Sequence, residues 1–207
     1  MSSYVPVGRF RALRIDAATG LLAGARQVLS PHFDERPAGM APELFVVHGI
    51  SLPPGEFGGP WIDRLFTGTL PAEAHPYFRE IAGKRVSAHA LIRRDGAIVQ
   101  YVPFGERAWH AGKSEYRGRS SCNDFSIGVE LEGTDETAYS DAQYVTLAVL
   151  AAALLQAYPS LSTQAIVGHS DIAPGRKSDP GAAFDWPRFR ALLAELASER
   201  GRGVISS

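Results

Sequence analysis

Two short apolar runs more than a hundred residues apart end in the same way: residues 44–49 read LFVVHG and residues 164–169 read QAIVGH. Each is too short for a globular helix, rich in β-branched or aromatic residues, and closed by glycine and histidine. Each therefore predicts a buried strand that delivers an imidazole, His48 or His169, to its C-terminal end. Two other segments supply partners for these strands. Residues 85–104, RVSAHALIRRDGAIVQYVPF, set Asp95-Gly96 between two β-rich runs, the mark of a hairpin, and carry His89. In residues 124–133, DFSIGVELEG, strict alternation sends Phe125, Ile127, Val129 and Leu131 to one face of a strand and Ser126, Gly128, Glu130 and Glu132 to the other.

Helices alternate with these strands. Residues 140–158 open with Ser140 and Gln143 in capping-box spacing, must stop before Pro159, and are apolar enough for a core helix. Residues 185–201 offer Asp185 as N-cap and a stripe of Phe189, Leu192, Leu193 and Leu196. Shorter helices are expected in PWIDRLF and HPYFREIAG, with SLPPGEFGGP as an ordered loop before the first. The mixture predicts an α/β (mixed α+β) fold.

At 207 residues and 45% hydrophobic composition the chain suits one domain with a sizeable core. Residues 1–24 show no clean period and are expected to form an N-terminal extension to a domain over 25–207. The net charge of −1 supplies no broad positive field, so neither nucleic acid nor an anionic membrane is an expected partner. A single cysteine, Cys122, rules out an internal disulfide framework and suits a reducing compartment. The first 20 residues interrupt their apolar positions with Arg9, Arg11, Arg14 and Asp16, and the longest apolar run, residues 147–155, falls far short of the ~20 residues of a membrane helix. The expected location is cytoplasmic, and a monomer is favoured.

Strand-borne His48 and His169, with Asp171 or Asp179 from the loop that follows, make a candidate site of two imidazoles and one carboxylate. Three protein ligands leave one tetrahedral position open, the arrangement of a catalytic rather than a structural zinc. Spacing alone leaves the two aspartates equivalent. Glu130 is the candidate general acid or base, and Lys177 can stabilise an oxyanion. Other motifs fail. GERAWHAGKS ends like a phosphate-binding loop, but Arg107 stands where its first glycine must be. Ser170 lacks a nucleophile elbow, and Cys122 reads as a buried, inert thiol.

The runs VVHGISLPPGEFGGPWIDRLFTGTL, VSAHALIRRDGAIVQYVPF, AWHAG, CNDFSIGVELEGTD and GHSDIAPGRKSDPG closely resemble the zinc-dependent N-acetylmuramoyl-L-alanine amidases, specifically the cytoplasmic branch acting on 1,6-anhydro-muropeptides. The resemblance spans residues 25–193. It implies a central mixed β-sheet flanked by helices, shared with peptidoglycan recognition proteins. By motif it makes His48, His169 and Asp179 the Zn2+ ligands, Glu130 the proton shuttle and Lys177 the transition-state stabiliser, and leaves Asp171 and Arg176 as loop residues. The implied reaction is hydrolysis of the amide between 1,6-anhydro-N-acetylmuramic acid and the L-alanine of the stem peptide, a small-molecule substrate. The implied role is cell-wall recycling, which lowers the muropeptide pool that signals β-lactamase induction. Arg85 is a candidate anchor for stem-peptide carboxylates, and Trp109 can pack against sugar or peptide. Two positions depart from the family pattern: Gly49 stands where asparagine often follows the first ligand histidine, and Ser121 where arginine often precedes the cysteine. The same fold without its metal would be a muropeptide receptor, which the intact set of five residues argues against. An amidase acting on the intact wall would call for a signal sequence or a wall-binding module.

Overall fold

The computed structural model describes residues 13–203. In chain order the strands are β1 (Arg26–Gln27), β2 (Phe33–Asp34), β3 (Leu44–Ile50), β4 (Ala90–Ile92), β5 (Ile98–Gln100), β6 (Arg107–Ala108), β7 (Glu115–Tyr116), β8 (Arg119–Ser120), β9 (Ser126–Glu132) and β10 (Ile166–Gly168). The α-helices are α1 (Trp61–Phe66), α2 (Asp141–Ala157), α3 (His169–Ile172) and α4 (Trp186–Gly203). Six strands form the central sheet, ordered β1-β5-β4-β9-β3-β10. All neighbours are parallel except the β4–β5 hairpin, so the sheet is mixed, as expected. At the hairpin turn Gly96 adopts φ +86, a conformation that favours glycine.

Strand parity divides the molecule into two faces. Phe45 and Val47 of β3 and Ile127, Val129 and Leu131 of β9 point into one core with Leu147, Leu150 and Leu154 of α2 and Phe189 and Leu193 of α4. Burying each such side chain contributes roughly 1.5–3 kcal/mol, so this face supplies much of the drive to fold. The other face rests on two smaller clusters. One packs Ile62, Leu65 and Phe66 of α1 against Leu91, Val99 and Tyr101; the other joins Leu44 and Val46 to Ala111, Cys122, Phe125 and Ile172. The alternate residues of β9, Ser126 to Glu132, lie on this second face and are buried there rather than solvated.

The two long helices begin where the sequence indicates. Ser140 and Gln143 form the capping box, and Gln143 also donates to the Ile92 and Glu132 carbonyls, tying the start of α2 to the ends of β4 and β9. Asp185 accepts from the Arg188 N–H at the start of α4. HPYFREIAG tightens to a 3-10 turn over Pro76–Glu80, started by the His75 side chain accepting from the Tyr77 N–H.

The last part of the expected extension, residues 13–24, lies among the described residues. Residues 14–23 form a small antiparallel excursion held by the Ile15–Leu22 bridge. Leu22 is 2% exposed and belongs to the main core. Buried Gln100 stitches the excursion to β5, its Oε1 accepting from the Leu22 N–H at 2.7 Å and its Nε2 donating to the Gly20 carbonyl at 3.0 Å. A distant side chain satisfies this backbone, so the segment shows no strand or helix period. Residues 1–12 of the expected extension lie outside the described residues.

Candidate metal centre and active site

The register of the parallel pair β3–β9 sets His48 directly beside Glu130. Both belong to the second face. β10 runs parallel on the other side of β3 with Gly168 opposite Val47, so the next residue, His169 at the start of α3, arrives level with His48. Asp171 turns back to accept from the Gly168 N–H at 2.7 Å and so shapes this corner, while the chain returns through Lys177 to Asp179. The Ser170 N–H donates to the Asp179 carbonyl, fixing that return.

His48, His169 and Asp179 thereby meet. The two Nδ1 atoms are 2.9 Å apart, and Asp179 Oδ2 lies 3.0 Å from that of His169 and 3.2 Å from that of His48. Donor atoms on a tetrahedral zinc at bonds of about 2.0–2.1 Å are separated by about 3.3 Å, so the three are spaced to hold such an ion. The proton arrangement agrees. With its Nε2–H donated to the Ala111 carbonyl, which can only accept, His169 turns the Nδ1 lone pair inward, as an ion there requires. The carboxylate is the third donor, and Asp171, engaged with Gly168, is not part of the set.

Electrostatics follow from burial. Desolvation pulls His48 down to about 4 and pushes Glu130 well above the usual carboxylate range, where the negative charge of Asp179 adds to the rise and Lys177 opposes it. Burial also works to raise Asp179, but contact with His169 and His48 outweighs it and holds the carboxyl well below its ordinary value. Glu130 is 9% exposed, and its Oε2 has no hydrogen-bond partner among the described residues. An unpaired buried carboxylate oxygen costs several kcal/mol in an apolar setting, and here it belongs to a cavity.

That cavity, of about 300 Å³, is lined by His48, Glu130, His169, Lys177, Asp179 and Trp109, with Leu52, Leu65 and Phe66 as its apolar wall. A cavity of about 450 Å³ between the residue 13–25 segment and α2 lies on the other face, and its lining holds no histidine or carboxylate among the described residues. Trp109 is oriented by its Nε1–H, which donates to Asp34 on β2 at 2.9 Å. Arg85 is not part of the cavity wall: it is exposed, its guanidinium 5.0 Å from the Trp109 ring. His89 is separate as well. Its Nδ1 accepts from the Gly128 N–H at 3.0 Å, which leaves Nε2–H to donate to the Glu106 carbonyl. Burial, then the nearby Arg36 charge, holds it neutral, down to about 3. Cys122 is buried and its thiol is pushed up by desolvation, matching the inert reading.

Sequence patterning assigned no role to the segment behind these donors, although AWHAG and CNDF are among the runs that carry the resemblance. His110 reaches His48 Nε2 with its Nδ1 at 2.9 Å, and Asn123 Oδ1 accepts from the N–H groups of both His110 and Ala111. Arg176, expected to be a plain loop residue, donates to the Ala111 and Lys113 carbonyls. One signal was available: Gly128 interrupts a well-patterned strand, which marks a close approach, and a Cβ there would collide with the His110 ring. A side chain at Gly49 would likewise meet the Tyr139 hydroxyl, which donates to the Pro180 carbonyl at 2.9 Å.

Strand order, donor set and cavity make a candidate metal site on a mixed sheet, and comparison with known proteins names the family. The chain belongs to the N-acetylmuramoyl-L-alanine amidase family, whose model matches residues 38–182. It is similar to the 1,6-anhydro-N-acetylmuramyl-L-alanine amidase AmpD of Escherichia coli strain K12, 65% identical over 176 residues, 85% of this chain and 96% of that protein. The AmpD of Haemophilus influenzae is 53% identical over 174 residues, 84% of this chain and 95% of its own. A crystal structure of a selenomethionine AmpD derivative matches with a TM-score of 0.83 at 65% identity, covering 84% of this chain and 97% of that one. AmpDh3 from Pseudomonas aeruginosa, in complex with anhydromuramic pentapeptide, matches with a TM-score of 0.53 at 29% identity, covering 73% and 59%.

Proposed function

We propose that this chain is a zinc-dependent amidase that hydrolyses the amide joining the lactyl group of 1,6-anhydro-N-acetylmuramic acid to the L-alanine of the stem peptide. The observation that carries the reading is the convergence of His48, His169 and Asp179 within 3.2 Å in the cavity that holds the unpartnered Glu130 oxygen. The 65% identity to the E. coli protein supports the choice of substrate.

His48, His169 and Asp179 would hold the ion. Zinc, when bound, supplies Lewis acidity, polarising a carbonyl oxygen and lowering the pKa of water to about 7. The Glu130 carboxylate accepts the proton of the attacking water and delivers it to the departing amine, and desolvation makes that carboxylate a stronger base. Lys177 faces the same cavity and offsets the charge that develops on the carbonyl oxygen. Trp109, held by Asp34, gives sugar or peptide a flat apolar wall, and Arg85 beside it offers a cation to stem-peptide carboxylates.

Every one of these groups comes from one chain, so a monomer suffices. No helix among the described residues is long and apolar enough to cross a membrane. The reading sets the reaction in the cytoplasm, on wall fragments being recycled, where it lowers the muropeptide pool that signals β-lactamase induction. Parallel digests of 1,6-anhydro-muropeptides, reduced muropeptides and intact sacculi, read by mass spectrometry, test the substrate: L-alanyl peptide should come fastest from the anhydro form. Equal rates on all three would replace this reading with that of a general wall amidase.

A further inference from the structure

The two ligand histidines are backed differently. His169 Nε2 meets a backbone carbonyl, that of Ala111, which accepts the Nε2–H when Nδ1 is turned to the ion. His48 Nε2 meets another imidazole, His110 Nδ1, at 2.9 Å, and a neutral imidazole nitrogen can donate or accept. What lies beyond His110 therefore matters. Its Nε2 is 3.1 Å from the Ser126 hydroxyl, a group able to take the His110 Nε2–H, and its ring lies over Gly128, where a Cβ would collide with it. Its backbone N–H is held by Asn123 Oδ1. The ring thus has a fixed position, set by three contacts that do not touch the cavity chemistry.

We propose that His110 is a positioning residue for the metal site: as the Nε2–H tautomer, with Nδ1 as acceptor, it keeps the proton of His48 on Nε2 and so frees His48 Nδ1 to bind the ion. Protons balance with every imidazole neutral, one on each Nε2, passed outward as His48 to His110 to Ser126. The opposite tautomer of His110 would present Nδ1–H to His48, force the His48 proton onto Nδ1, and block the ligand atom. A metal-bound histidine gains basicity and orientation from the acceptor behind it, and losing such a partner typically weakens metal binding by about 10–100-fold. The inference rests on the zinc reading above.

The test is the zinc dissociation constant of the full chain, measured by competition with a chromophoric chelator at fixed pH. His110→Phe keeps a flat ring but removes the acceptor, and should weaken binding by about 10–100-fold. His110→Asn can place Oδ1 close to the lost Nδ1 and should recover most of that loss. Leu150→Ala, in the core of the other face, controls for general destabilisation and should bind as the parent does. Parental affinity in His110→Phe, or equal losses in the Phe and Asn variants, would overturn the acceptor role. If His110→Phe does not fold, Ser126→Ala decides: it keeps the Gly128 and Asn123 contacts on His110 and should weaken binding several-fold, and unchanged affinity would overturn the proposal. A parent chain that takes up no zinc would instead refute the zinc reading itself.

Discussion

The two faces of the central sheet are built on opposite principles, although the same strands form both. Toward α2 and α4, side chains at alternate positions of β3 and β9 are apolar, and their burial alone satisfies them. On the opposite face, the neighbouring positions on the same strands include His48, Ser126, Glu130 and Glu132, buried polar groups that each need a partner from elsewhere in the chain. The first face is stabilising and needs only apolar volume. The second is exacting, because a buried polar group without its partner costs more than its hydrogen bond returns. Stability should therefore be damaged mainly from the first face and activity mainly from the second, and variants can break or sharpen that division.

The largest expected effect lies on the cavity side. Glu130→Gln keeps the shape of the side chain but removes the proton shuttle, and turnover should fall by about 10²–10⁴-fold while zinc content, measured by atomic absorption, stays at the parental level. Loss of the metal in this variant would instead make Glu130 part of the metal's support. On the opposite face, Leu150→Ala should cost about 2–5 kcal/mol in urea titrations, with kcat/KM unchanged well below the melting temperature. Altered kcat/KM there would show that the two faces are coupled.

Acid should act on the protein through His89, which is buried neutral. Its value in the folded chain, about 3, lies below the ordinary 6.5, so the unfolded state takes up a proton first as pH falls. Its contribution to stability is full above about pH 6.5 and is lost as pH falls toward about 3. His89→Gln should flatten that part of the stability profile, and an unaltered profile would place the acid sensitivity elsewhere. The smallest effect is expected at Asp185→Ala, which removes the α4 cap and should cost about 1 kcal/mol in the same titrations without touching activity.

The contrast also explains what could be read in advance. Apolar periodicity exposed the α2 and α4 side almost completely: the alternation in β9, the Ser140–Gln143 box and the Asp185 cap are all local patterns, and all are present. On the other face the same patterning located His48 and Glu130 on strands and His169 at the end of one, where the structure begins α3, but spacing could not choose between Asp171 and Asp179. That choice depends on a hydrogen bond from the Gly168 N–H that occupies Asp171, a matter of loop geometry with no sequence period. His110, Asn123 and Arg176 were missed for a related reason, since each acts on a segment distant in sequence. The residues 13–24 segment, held by the side chain of Gln100, escaped notice in the same way.

The central claim is that three side chains from the second face make a zinc site on which amide hydrolysis depends. Its most direct test is release of L-alanyl peptide from 1,6-anhydro-muropeptide, followed by mass spectrometry before chelation, after it, and after zinc is returned. The account predicts that release stops when the metal is stripped and recovers as zinc approaches about one ion per chain. Undiminished release from thoroughly chelated protein would contradict it.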